Sequence, residues 1–178
     1  MGTTGTTGTT GTTGTTGKRS AGLLLYRRAA AGTEVLLGHM GGPLWERRDA
    51  RAWSVPKGEY VPPEEAWDAA RREFTEELGM PPPAGPYRPL GDIRQASGKV
   101  VTVWAVEGDL DPRRIVPGTF EMEWPRGSGV TATFPEIDRV AWFPPHEARE
   151  RLVAGQQAFL DRLAAQLADQ DRASGDRQ

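Results

Sequence analysis

Residues 58–80 read GEYVPPEEAWDAARREFTEELGM, and the rest of the chain is understood from that pattern. Pro62 and Pro63 followed by Glu64 and Glu65 mark a helix start, because proline is tolerated in a first turn and acids suit the positive end of the helix dipole. Gly79, with Pro81, Pro82 and Pro83 behind it, marks the stop. Between these signals Trp67, Ala70, Phe74 and Leu78 recur at helical spacing and predict one buried stripe. Glu73, Glu76 and Glu77 stand three and four apart and crowd one another on another face. Like charges four apart destabilise a helix by roughly a few tenths of a kcal/mol, where a Glu–Lys pair would stabilise it. A solvated helix face ordinarily mixes signs. An all-carboxylate cluster instead suits a hard divalent cation such as Mg2+ or Mn2+.

Composition bounds what such a site could belong to. The 178 residues suit one folded domain with ends to spare. A net charge of −2 gives no general attraction to nucleic acid or to an anionic membrane. Without cysteine there is no disulfide, thiolate zinc site or cysteine nucleophile. No apolar run approaches a membrane span and no basic-then-apolar leader opens the chain, so cytoplasm is the expected compartment. Residues 1–17 are a Gly-Thr-Thr repeat with no core-forming side chain, expected to be a disordered tail. Residues 18–168 are expected to be the folded domain and 169–178 a polar, frayed C-terminal tail.

Within the domain, Ser20 to Arg27 and Thr33 to Met40 are apolar runs separated by the turn-prone AAAG and read as paired strands. Residues 44–52 form a charged loop carrying Trp45, and Trp53 to Gly58 (WSVPKG) leads as a short strand and turn into the acidic helix. Glycine at 58 suits a place where the backbone turns sharply or approaches a ligand closely. Residues 90–96 and 99–108 predict a hairpin turning at Ser97-Gly98. Residues 109–119 predict a loop. Phe120 to Trp124 alternates as a half-buried strand, with Phe120, Met122 and Trp124 facing one way and Glu121 and Glu123 the other. Residues 126–133 predict a loop, 139–143 a short strand, 145–153 a helix and 156–167 an amphipathic helix packed on the sheet.

Spelled out, the opening stretch is G-x5-E-x7-R-E-Φ-x-E-E-x-G-Φ, with Φ apolar, filled by Gly58, Glu64, Arg72, Glu73, Phe74, Glu76, Glu77, Gly79 and Met80. It resembles the complete Nudix box. The resemblance implies an α/β fold, a Nudix-type α/β/α sandwich with a mixed β-sheet and the box as a loop-helix-loop catalytic motif. It also implies metal-dependent hydrolysis of a pyrophosphate bond in a nucleoside diphosphate linked to another moiety, with Mg2+ or Mn2+ as cofactor. By the same resemblance Glu73, Glu76 and Glu77 ligate the metal, one of them serves as general base, and Arg72 orients a box carboxylate through a charge-assisted hydrogen bond. Glu64 is expected to tie into that network or cap the loop-helix. The Lys57 carbonyl falls where members offer a backbone ligand, and its ammonium is a candidate for a substrate phosphate.

A further acid from a distant loop is also implied. Glu136 in FPEIDR is the first candidate, ahead of Glu121 and Glu123, for which a wet strand face is the simpler reading. His39 and His146 are candidate bases, although isolated histidines are more often packing or surface residues. Among Trp45, Trp53, Trp104 and Trp124, Trp45 is the stacking candidate because it sits in a charged loop, whereas Trp104 reads as core. The expected partner is a nucleotide-like diphosphate, either a nucleoside triphosphate or a dinucleoside polyphosphate. The WSVPKGE lead-in, with no Gly-Gly before the box, resembles the polyphosphate branch. A fold of this kind that binds nucleotide without turnover is the alternative, but such proteins usually lack a box carboxylate and none is missing here.

Overall fold

The computed structural model describes residues 17–175. The Gly-Thr-Thr tract before Gly17 and the last three residues lie outside them. The first two strands, β1 (Arg19–Ala29) and β2 (Gly32–Met40), form the expected antiparallel pair. Two short strands follow, β3 (Trp53–Ser54) and β4 (Lys57–Tyr60), then the helix α1 (Ala66–Leu78). The predicted hairpin is β5 (Arg88–Arg94) with β6 (Val100–Glu107). β6 runs parallel to β1, from Arg19 opposite Val100 to Tyr26 opposite Glu107, and so makes the sheet mixed. β7 (Thr119–Glu123) and β8 (Thr131–Pro135) form a separate two-stranded ribbon. β9 (Ile137–Phe143) pairs with β2, and α2 (Pro145–Arg151) and α3 (Gln157–Gly175) close the chain.

The strand period sorts the core into two layers. Leu23 and Leu25 of β1 and Leu36 of β2 meet Ala69, Ala70, Phe74 and Leu78 of α1. Their neighbours Leu24, Tyr26, Val35 and Leu37 meet Phe159, Leu160, Leu163 and Leu167 of α3 on the opposite side. A strand buried on both faces reads as an unbroken apolar run, which is what Leu23-Leu24-Leu25 is. The result is an α/β/α sandwich.

Three local expectations change. α1 begins at Ala66, so Pro62 and Pro63 lie in the turn before the helix and not in its first turn. Residues 131–133, expected in a loop, belong to β8, because five successive residues of β7 find pairing partners there. α3 continues to Gly175, past the last apolar stripe residue, Leu167. An ion pair from Arg28 of β1 to Asp171, 3.0 Å long, meets this extension.

Candidate active site

α1 lies against β1 and β4, and its C-terminal half carries the acids to the mouth of a cleft. Arg72 is the hub of its polar face. Its Nε and Nη2 donate to the two oxygens of Glu64 at 2.8 and 3.0 Å. Its Nη1 donates to Glu73 Oε1 at 2.7 Å and to Glu76 Oε2 at 2.9 Å. Bidentate pairing of this kind fixes the guanidinium plane. The bond from Arg72 holds the Glu64 carboxyl below its ordinary range, while the carboxylates around Arg72 push the guanidinium up.

Glu73 and Glu77 point inward. Burial pushes the Glu73 carboxyl up, against the pull of Arg72. Burial pushes Glu77 up to about 8, opposed by Lys57. The Lys57 backbone N–H donates to Glu77 Oε2 at 2.9 Å, and burial pushes the Lys57 ammonium down. Gly58 is explained by what it abuts: a Cβ built there would stand 1.8 Å from Glu73 Oε2, inside the carboxylate. Gly79 is explained twice over. Its φ of 70° is the left-handed C-cap conformation, and a Cβ there would stand 2.5 Å from the Val116 carbonyl.

The cleft, of about 540 Å3, is lined by Glu73, Glu76, Glu77 and Glu136 together with Lys57 and Trp45. Six of the candidate ligand and substrate-binding side chains therefore converge, beside Gly58, and Arg72 grips two of them. Lys99, Phe120 and Glu59 line the same cleft and were not among the candidate site residues. Lys99 arrives because β6 runs beside β1, and its ammonium pairs with Glu59 at 2.9 Å. Phe120 arrives on β7 with the apolar face that the alternation predicts, which is where a signal was available.

Other candidates fall elsewhere. Glu121 and Glu123 are exposed on β7, and Glu123 accepts from the Gly129 N–H at 2.6 Å. Trp53 is buried in the core, and Trp104 packs edge-on against Trp67 with ring centroids 5.2 Å apart. Trp124 is half-buried and does not line the cleft. His146 is exposed on α2. His39 is fully buried between Asp138, 2.6 Å from Nδ1, and the Arg48 carbonyl, 2.7 Å from Nε2. That leaves it no free nitrogen for base chemistry.

The donor set suits a hard divalent cation: five carboxylates, Glu59 among them, line one cleft, and burial first and neighbouring carboxylates second hold Glu73 and Glu77 above their ordinary range. Among the described residues no three of them already meet at one point. Arg72 draws Glu73 and Glu76 to itself, and Glu77 is tied to the Lys57 N–H. A cation bound there would supply the positive charge to draw these carboxylates together.

A family model described as the NUDIX domain matches residues 17–163. Among solved structures, the chain is similar to an Ap4A hydrolase of C. elegans in a binary complex, at 22% identity and a TM-score of 0.60, covering 84% of this chain and 98% of that one. A mutT/nudix family protein from Listeria innocua is similar at 17% identity and a TM-score of 0.58, covering 88% and 97%. The NUDIX domain of Shewanella oneidensis NrtR complexed with ADP ribose is similar at 14% identity and a TM-score of 0.56, covering 85% and 88%. A search of curated proteins found no match to the chain.

Proposed function

The chain belongs to the Nudix family and is a pyrophosphohydrolase of the Nudix type, and on that premise we propose that it cleaves a nucleoside diphosphate linked to a further phosphate-bearing group, using Mg2+ or Mn2+. The observation that carries this reading is the convergence of Glu73, Glu76, Glu77 and Glu136 with Lys57 and Trp45 on one cleft. When bound, the ion neutralises phosphate charge and lowers the pKa of its water. Glu73, Glu76 and Glu77, with Glu136 from across the cleft, would hold it.

The chain's own residues do the rest. Arg72, pinned to Glu64, keeps Glu73 and Glu76 from swinging free. One of the three box glutamates accepts the proton of the attacking water. Lys57 and Lys99 line the same cleft as the acids, at positions suited to phosphate oxygens, which supports a polyphosphate substrate. Trp45 lines the cleft and offers a ring for a nucleobase, and the Arg48 guanidinium lies over that ring, 5.4 Å from its centroid. Among the described residues no helix is long and apolar enough to cross a membrane.

The test is a screen for nucleotide products, separated by chromatography, over nucleoside triphosphates and dinucleoside polyphosphates with Mg2+ or Mn2+, run beside Glu76→Gln and Glu77→Gln. Metal-dependent turnover that collapses in both variants is the expected result. Nucleotide binding without turnover on any diphosphate would favour a binding module instead.

A further inference from the structure

α1 ends with carbonyls that have no partner within the helix, as every helix does. Here the loop after β6 takes them. Val116 N–H donates to the Leu78 carbonyl at 3.3 Å, and Gly118 N–H donates to the Glu76 carbonyl at 3.0 Å. The loop then turns to the far wall of the cleft: the Gly118 carbonyl accepts from Glu136 N–H at 2.9 Å, and the Glu136 carbonyl accepts from Gly41 N–H at 2.9 Å. A single residue thus joins the backbone of a box glutamate to the backbone of the distant acid. Its missing side chain matters as well. A Cβ built on Gly118 would stand 3.1 Å from the Glu76 carbonyl oxygen and 3.3 Å from Glu136 Oε2. Its φ lies outside the left-handed region, so alanine fits the backbone there and the cost falls on those two neighbours.

We propose that Gly118 is a positioning residue that sets how far the Glu136 carboxylate stands from the box glutamates, and thereby the metal affinity of the site. This rests on the reading of Glu136 as a metal ligand. Gly118 itself does not line the cleft. It acts through Glu136, by two backbone hydrogen bonds and by leaving room for that carboxylate.

A double-mutant cycle on Mn2+ affinity, read by titration of the protein without substrate, tests this. Gly118→Ala should weaken Mn2+ binding by about tenfold, within the range found when residues supporting a ligand are changed. In a Glu136→Gln background the same substitution should cost nothing further, because the group it acts through is gone. Gly85→Ala, whose added methyl meets Val106 Cγ2 at 3.4 Å and the Glu107 carbonyl oxygen at 3.9 Å, both ordinary contacts, is the control. Equal losses in both backgrounds, or no loss in either, overturn the role of Gly118 while Glu136 keeps its own. If Glu136→Gln itself leaves Mn2+ affinity unchanged, the assignment of Glu136 fails first and the proposal with it. Should Gly118→Ala not fold, amide hydrogen exchange in the unaltered chain decides: Mn2+ should slow the Gly118 and Glu136 amides together, and unchanged exchange at both overturns the proposal.

Discussion

The Lys57 N–H donates to Glu77 Oε2 at 2.9 Å across twenty residues of sequence, and this bond joins the residue just before the box to the last carboxylate in it. Burial nevertheless dominates Glu77, whose carboxyl is pushed from the ordinary 4.5 to about 8. A raised acid favours the protonated folded state, so its contribution to stability is whole below about 4.5 and is lost as pH rises through about 8. In EDTA the unaltered protein should therefore lose stability relative to Glu77→Gln between pH 5 and 9. Lys57, pushed down by burial, slopes the other way in both proteins and largely cancels in the comparison. The expected difference is roughly a few kcal/mol at about 1.4 kcal/mol per pKa unit. Thermal unfolding reads it, and Mg2+ added at the upper end should recover the loss. Parallel profiles would place Glu77 in water.

Arg72→Lys keeps the charge and removes the fork. One ammonium cannot span both oxygens of Glu64 and still reach Glu73 and Glu76, which Arg72 holds at 2.7 and 2.9 Å. Metal affinity and kcat should each fall by about 10–100-fold with the fold retained. Calorimetric metal titration beside steady-state kinetics measures both, and wild-type affinity in the variant would remove Arg72 from the positioning role.

The box was legible in the sequence because its constraints are local. Helical spacing puts Phe74 and Leu78 on the sheet and the acids on the cleft, and Gly58 and Gly79 fall where a side chain would collide. The rest depends on contacts far apart in the chain. Lys99 reaches the cleft only because β6 lies parallel to β1, and residues 131–133 become a strand only because β7 is beside them. Nothing in a Gly-Thr pair at 118–119 announces that it bridges Glu76 and Glu136. The polar end of α3 stays helical past its apolar stripe, where Asp171 finds Arg28 across the sheet edge.

His39 holds the Trp45 loop to the strand after Glu136. Its ring lies between the Arg48 carbonyl and the Asp138 carboxylate and packs edge-on against Trp53, with centroids 5.2 Å apart. His39→Phe keeps the ring and removes both contacts, leaving the Asp138 carboxylate with Arg139 Nε at 3.4 Å. It should cost about 2–4 kcal/mol in denaturant unfolding, whereas His146→Phe on the exposed face of α2 should cost close to nothing. Equal stability of the two variants would mean that the buried pair contributes no net energy.

Trp45 and Phe120 stand on the same cleft as the carboxylates, one from the loop after β2 and the other from β7. Both are only half-buried, and Gly42 leaves room for Phe120, whose Cζ would lie 3.0 Å from a Cβ at that position. A nucleobase stacked on an aromatic ring gains about 1–3 kcal/mol, and the ring does not touch the scissile phosphate. Trp45→Ala and Phe120→Ala should therefore raise KM for a nucleoside polyphosphate by about tenfold or more while kcat changes little. Inorganic tripolyphosphate, which has no base, separates stacking from a general loss of cleft shape. A variant that weakens the nucleotide and leaves tripolyphosphate unaffected is stacking the base; equal weakening of both would assign that ring to packing.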